Sequence, residues 1–438
     1  MTVLRNLWRT LIGNFAPLRQ HDFRIYLGGQ TVSLVGTWLQ VTAQGWLVWT
    51  LTGSAAALSL VAMLNALPIL LFGPWAGVLA ERLDRRQLLI GTQIASMLLA
   101  FALAFIVQAQ VVQIGHVYLL SFLLGIVSAL DLPTQQTFLG DLSGTGEVRK
   151  AVNLNAMILQ ISRMIGPALA GVMLVKFGVA PSFWLNGISF VAVVATLVAV
   201  RSHQVPSTNT SVKPLRDLGE ALRFLRTQPR MQDLFLFATL VVFLVLSIIF
   251  SQLPVVAAKL LGGDAATLGS LQSAAGAGAL IGVLVIVPVV QTVRRIGVVL
   301  GLVLVWMGVW LLVFSAARTV SVSALALLLT SMGAPTIVAT TLGLVQFMAP
   351  AAMRTRIVGL FTMITFGLQT FAILIVGFLA EKLGVAAAIE INAALLIVGA
   401  ALMLMLRTNL RRWKTHAPAV PVPVNPVPVA SLVPVPPV

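Results

Sequence analysis

Twelve apolar segments of roughly 20 residues or more follow one another along the chain, and no other feature limits its fold so severely. Each can carry a helix across about 30 Å of hydrocarbon, where every backbone N–H and C=O must be satisfied inside its own segment. Their cores lie at 25–50, 56–80, 88–108, 115–137, 152–175, 181–200, 233–256, 267–290, 297–316, 321–348, 358–380 and 385–406. Charged residues are only 9 % of the 438, against about 25 % in an ordinary soluble domain. With 59 % hydrophobic residues, such a chain cannot cover a globular surface with polar groups. A soluble enzyme is thereby excluded, as is disorder outside the ends. The expected class is an all-α membrane protein.

Lys and Arg set the orientation. Of the 28, the ends and alternate loops hold 23 on one side, and four (Lys176, Lys259, Arg318, Lys382) fall on the other. The positive-inside rule makes the 23-charge side cytoplasmic, with both termini inside. The net charge of +16 is then topology and attraction to anionic lipid, and nucleic acid is not an expected partner. Residues 1–22 alternate Leu4, Leu7, Trp8, Leu11 and Ile12 with Arg5 and Arg9, the pattern of an amphipathic helix on the cytoplasmic face rather than a cleaved signal.

The segments divide six and six around residues 201–231. That stretch opens as a polar linker and closes with Leu215, Leu218, Leu222 and Leu225 at helical spacing among Arg216, Arg223 and Arg226, either a short surface helix or a solvated loop. The divisions are 1–22, a first half at 23–200, the central loop at 201–231, a second half at 232–407 and a basic, then Pro/Val-rich tail at 408–438. A shift of 206 residues lays Gly171, Lys176 and Gly178 on Gly377, Lys382 and Gly384. Parallel six-helix halves are a transporter design with a substrate path between them.

Three stretches resemble the major facilitator superfamily. GVLAERLDRR in the loop after segment 2 is similar to its cytoplasmic signature and supplies Gly77, Glu81, Arg82, Asp84, Arg85 and Arg86. Here Glu81 replaces the usual Asp, and Asp84 stands where Gly is common. GPALAG in segment 5, with Gly166, Pro167 and Gly171, resembles the antiporter signature, with Ala170 for its second-last Gly. DLPTQQTF from Asp131, then Asn153, Asn155 and Arg163, together with LVWTLTGSA, resembles the bacterial enterobactin-exporter-like and macrolide-efflux-like subfamily, although Gln135 stands where Arg is frequent. The resemblance implies twelve helices in two pseudo-symmetric halves, alternating access, and export of a bulky, mostly apolar small molecule. It also implies that the acid of the signature loop, Glu81, meets the start of segment 11, beside Arg354 and Arg356, when the inside is closed.

The residues carry their own physical reading. Arg163 lies near mid-bilayer, where a charge costs at least about 2.5–3.5 kcal/mol, so it should face the interior and find a partner. Asp131 is the expected partner and the expected proton carrier, against the alternative of a purely structural pair. Gln30, Thr37 and Gln44 recur at spacings of seven on segment 1, flanked by Gln40; Asn65 and Gln369 are single polar groups elsewhere. They line the substrate cavity or bond to neighbouring helices. Gly166 and Gly171 serve a hinge or simple close packing.

Cysteine is absent, and His21, His116, His203 and His416 are scattered, so no metal site, cofactor or enzymatic cluster is expected. The expectation is a secondary active exporter, proton-coupled and monomeric, in the cytoplasmic (inner) membrane, whose partners are a small-molecule substrate and the bilayer. An importer or uniporter of the same fold is the alternative, with a non-transporting sensor more distant.

Overall fold

Helix limits follow the apolar segments and overrun them where polar turns extend the ends. The structure, a computed structural model, describes residues 15–144, 146–200, 214–293, 295–350 and 353–407, with the side chains of 74, 77, 78, 80–82, 149, 214–217 and 291 left outside the description. The first half holds α1 (His21–Thr52), α2 (Ala55–Arg82), α3 (Arg85–Gln108), α4 (Ile114–Ser143), α5 (Val148–Phe177) and α6 (Ala180–Ala199). A short helix α7 (Pro214–Arg226) follows. The second half holds α8 (Pro229–Ser251), α9 (Ala265–Val290), α10 (Ile296–Ala316), α11 (Val320–Met348), α12 (Arg354–Leu383) and α13 (Val385–Leu406).

Eleven of these helices, α2–α6 and α8–α13, are long and apolar enough to cross a membrane. Helix α1 has the length, 32 residues, but its glutamines and threonines make it less apolar. Helix α7 is the amphipathic helix of the central loop. It buries Ala221 and Leu225, exposes Arg223 and Arg226, and packs on α12. Residues 1–14 and 408–438, which carry the N-terminal segment and the tail, lie outside the described residues, as does 201–213.

Starts and stops use ordinary chemistry. Ser54, Asp84 and Asp264 cap α2, α3 and α9 by accepting from the N–H of Ala57, Gln87 and Thr267. Gly178 and Gly384 close α5 and α12 at φ of 79° and 89°, a left-handed region costly for side chains. These two are 206 residues apart, so the repeated positions do repeated work. Helix α8 contains a π-turn at Val242–Leu246 and α9 one at Gly282–Ile286.

Two seams join the halves: α5 against α9, and α2 against α12. One buried apolar cluster runs unbroken from Leu39, Leu47, Ala55 and Leu174 of the first half into the whole second half. A separate cluster (Phe23, Tyr26, Leu89, Phe138, Leu154, Leu197) fills the first half at its basic-loop end. Among the described residues the halves thus share a buried core at the far end, while the first half keeps a separate one at the basic end.

Candidate functional site

At the α5–α9 seam, backbone meets backbone. A Cβ added to Gly276 of α9 would lie 2.7 Å from the Arg163 carbonyl carbon, and one on Gly269 would lie 2.5 Å from the Pro167 carbonyl oxygen. On α5, a Cβ at Gly171 would stand 3.1 Å from the Ala266 Cα. Gly166 faces inward to its own half, where its Cβ would strike Trp38 and the Val35 carbonyl. The antiporter-like stretch is therefore a place of close helix approach, with Pro167 inside α5.

The α2–α12 seam uses charge. Glu381, near the end of α12, accepts from the N–H of Ala55 at 2.7 Å and of Ala56 at 3.3 Å, and from the Ser54 hydroxyl at 3.1 Å. A carboxylate of one half thus caps the positive end of a helix in the other. Lys259 lies over the Trp49 ring nearby, at 5.2 Å. Gln252 donates to Ser59 at 2.8 Å, and Thr42 donates to Gln272, both across the halves. All these contacts sit at the far end or mid-depth.

The expected Asp131–Arg163 pair does not form. The Asp131 carboxylate accepts from Thr92 at 2.6 Å and Gln93 at 2.9 Å, both on α3, with Tyr26 and Gln135 alongside. Its polar site is internal to the first half. Arg163 points elsewhere: its guanidinium carbon lies 4.9 Å from the Trp38 ring centroid and 5.0 Å from that of Phe250. The two residues are at similar depth on neighbouring helices but face different directions.

The polar stripe of α1 is spent largely on neighbours in its own half. Gln40 accepts from Asn186 of α6 at 2.7 Å, both buried, and Gln44 donates to Ser121 of α4 at 2.7 Å. Asn65 donates to the Ser121 carbonyl at 3.4 Å. Gln30 is buried with its Oε1 unpaired among the described residues; Thr37 and Gln369 are half-buried. A small void lined by Gln40, Gln44, Leu103 and Ser121 is what this stripe encloses. Replacing Gln40 by Leu should strand the Asn186 amide and cost about 1 kcal/mol, read as a lowered melting temperature in detergent.

The signature loop divides. The side chains of Glu81 and Arg82, and Gly77, lie outside the described residues. Asp84 caps α3. Arg85 binds both carboxylate oxygens of Asp141 at 2.8 Å, and Arg86 donates to the carbonyls of Leu197 and Val198 at the end of α6. These three brace the basic end of the first half. Arg354 is exposed at the start of α12, while Arg356 donates to Glu220 of α7 at 2.5 Å.

One buried acid went unanticipated: Asp233, a turn into α8, is 1 % exposed and faces the Arg407 Nε at 3.4 Å. Its signal was an acid inside the apolar run that opens segment 7. Among the described residues no group of three or more His, Asp or Glu could hold a metal.

The sequence pattern of the transmembrane secretion effector family matches residues 12–433. The uncharacterised MFS-type transporter YfiS of Bacillus subtilis is 29 % identical over 267 residues, 60 % of this chain and 63 % of that one. The staphyloferrin A transporter of Staphylococcus aureus is 25 % identical over 62 % of this chain and 68 % of its own length. Macrolide efflux protein A of Streptococcus pyogenes is 26 % identical over 50 % and 55 %. Among solved structures, an inward-facing, unoccupied bacterial homologue of the human lysosomal transporter Spinster covers 92 % of this chain and 100 % of its own, with a TM-score of 0.69 at 12 % identity.

Proposed function

We propose an export role for this chain, which belongs to the transmembrane secretion effector family of major facilitator transporters. It is a multi-pass membrane transporter and not an enzyme. The proposed cargo is a bulky, mostly apolar small molecule, drug-like or siderophore-like, moved out across the cytoplasmic membrane by alternating access. The proposed topology has twelve spans, α1 being the twelfth, with both termini in the cytoplasm, and the working unit is a monomer.

One observation carries this reading: among the described residues the buried core that joins the halves reaches the far end of the first half, whose basic end keeps a separate core. The positive-inside rule puts the basic end in the cytoplasm, so the end where the first half keeps a core of its own faces the compartment from which an exporter loads. The macrolide efflux relative supports outward movement, and the staphyloferrin A transporter supports a siderophore-like cargo as one option. Arg354, exposed at the start of α12, is the proposed meeting point for Glu81 when the basic end closes.

Proton coupling is proposed through Asp131, a carboxylate held by two neutral donors at the opening end of the first half. Everted vesicles with an acid interior should accumulate a bulky, mostly apolar drug found by screening a panel, and Asp131→Asn should reduce that accumulation to the level of vesicles lacking the protein. Its binding of the drug should persist. Accumulation unchanged in Asp131→Asn would remove Asp131 from coupling; uptake that only equilibrates the drug, with or without the pH gradient, would favour a uniporter.

A further inference from the structure

Arg163 is the sixteenth of the 30 residues of α5, about as far from one membrane face as from the other. Burying a guanidinium there is costly, and the usual remedy is a carboxylate. Among the described residues none is supplied, nor does any oxygen accept one of its N–H groups. Its neighbours are two rings, Trp38 of α1 and Phe250 of α8, stacked at 6.4 Å and 28°. One ring comes from each half, and Phe250 is 38 % exposed.

Ring faces attract the cation but leave its five N–H donors without a directed acceptor. We infer that Arg163 is the recognition point for an acidic group on the transported molecule, so that the substrate class is an amphiphilic anion: an apolar body bearing a carboxylate or phosphate. The inference rests on the transport reading above and narrows it. A planar guanidinium presents paired donors that match a carboxylate or phosphate, and the flanking rings supply an apolar wall for the rest of the guest. The position also has leverage. Gly276 of α9 packs on the backbone of Arg163 itself, so a guest that engages this side chain is held where the halves meet.

The test uses three probes with one body: pyrenebutyrate, pyrenebutanol and pyrenebutylamine. Binding is read by energy transfer from tryptophan to pyrene in nanodiscs of phosphatidylcholine, whose lipid carries no net charge. Empty nanodiscs correct for partition into lipid. The wild-type protein should prefer the butyrate over the alcohol by at least about tenfold. Arg163→Met should lose that preference while still binding the alcohol, which shows that it is folded; Arg163→Lys should recover part of it. Equal affinity for butyrate and alcohol in the wild type, or an undiminished preference in Arg163→Met, would overturn the inference and leave Arg163 as a permanently ring-held cation. A vesicle assay in which the alcohol is carried as well as the butyrate would also remove the anion site, while leaving the transport reading intact.

Discussion

Replacing Gly276 by valine is expected to hold the far end apart and to stop transport while the protein remains folded. The first added carbon would sit 2.7 Å from the carbonyl carbon and oxygen of Arg163 and the amide nitrogen of Met164, all backbone atoms that cannot swing aside. Helix α9 must retreat from α5, and overpacking of this kind costs about 1–3 kcal/mol. That is about five- to 150-fold against the conformation closed at the far end. Gly359→Val on α12 is the control, because nothing lies within 4 Å of a Cβ there. Both substitutions put the same side chain into a helix, so the difference between them reports the seam. Spin labels at Lys176 and Lys382, exposed ends of α5 and α12, read the opening as a distance. A distance distribution for Gly276→Val that superposes on the control would defeat the seam argument.

Glu381→Ala should act on the same equilibrium through the other seam. The variant strips α2 of a cap that belongs to the opposite half, leaving the N–H groups of Ala55 and Ala56 without it. Loss of an N-cap costs about 0.5–2 kcal/mol, and because Glu381 is exposed the lower part of that range applies. A shift of about three- to tenfold toward opening at the far end follows. Glu381→Gln keeps an acceptor oxygen but not the charge, so it should fall between the two. Raised salt should weaken the wild-type latch and leave Glu381→Ala unmoved. If the label distance in Glu381→Ala matches that of the wild type, the cap does not hold the far end shut.

Depth was legible in the residues; direction around the helix was not. Apolar runs fixed each span within a few residues, because length and hydropathy are properties of one segment. The 206-residue shift was legible too, since Gly178 and Gly384 answer a backbone demand that glycine meets most readily. Pairing Asp131 with Arg163 used depth alone. Asp131 lies 12 residues from the end of α4, and Arg163 lies 15 from the start of α5, so both reach similar levels. The rotation of each helix turns one toward Thr92 and Gln93 and the other toward rings. Rings carry no formal charge, so a search for counter-charges passes over them. Arg356 posed the same difficulty: its partner Glu220 comes from the surface helix, which a search confined to spanning segments does not reach. Asp233 was missed because its balancing charge, Arg407, sits at the far end of the second half's sequence.

A contact made of main chain differs in kind from one made of interlocking side chains. Where Gly269, Gly276 and Gly171 meet the opposing helix, no rotamers must be found or abandoned as the surfaces come together or separate. Closure there surrenders little side-chain entropy. The seam therefore behaves as a bearing, and resistance to movement concentrates in the few groups that must exchange partners, Glu381 foremost. In the proposed cycle, a handful of polar bonds rather than the large area they hold together would set the pace.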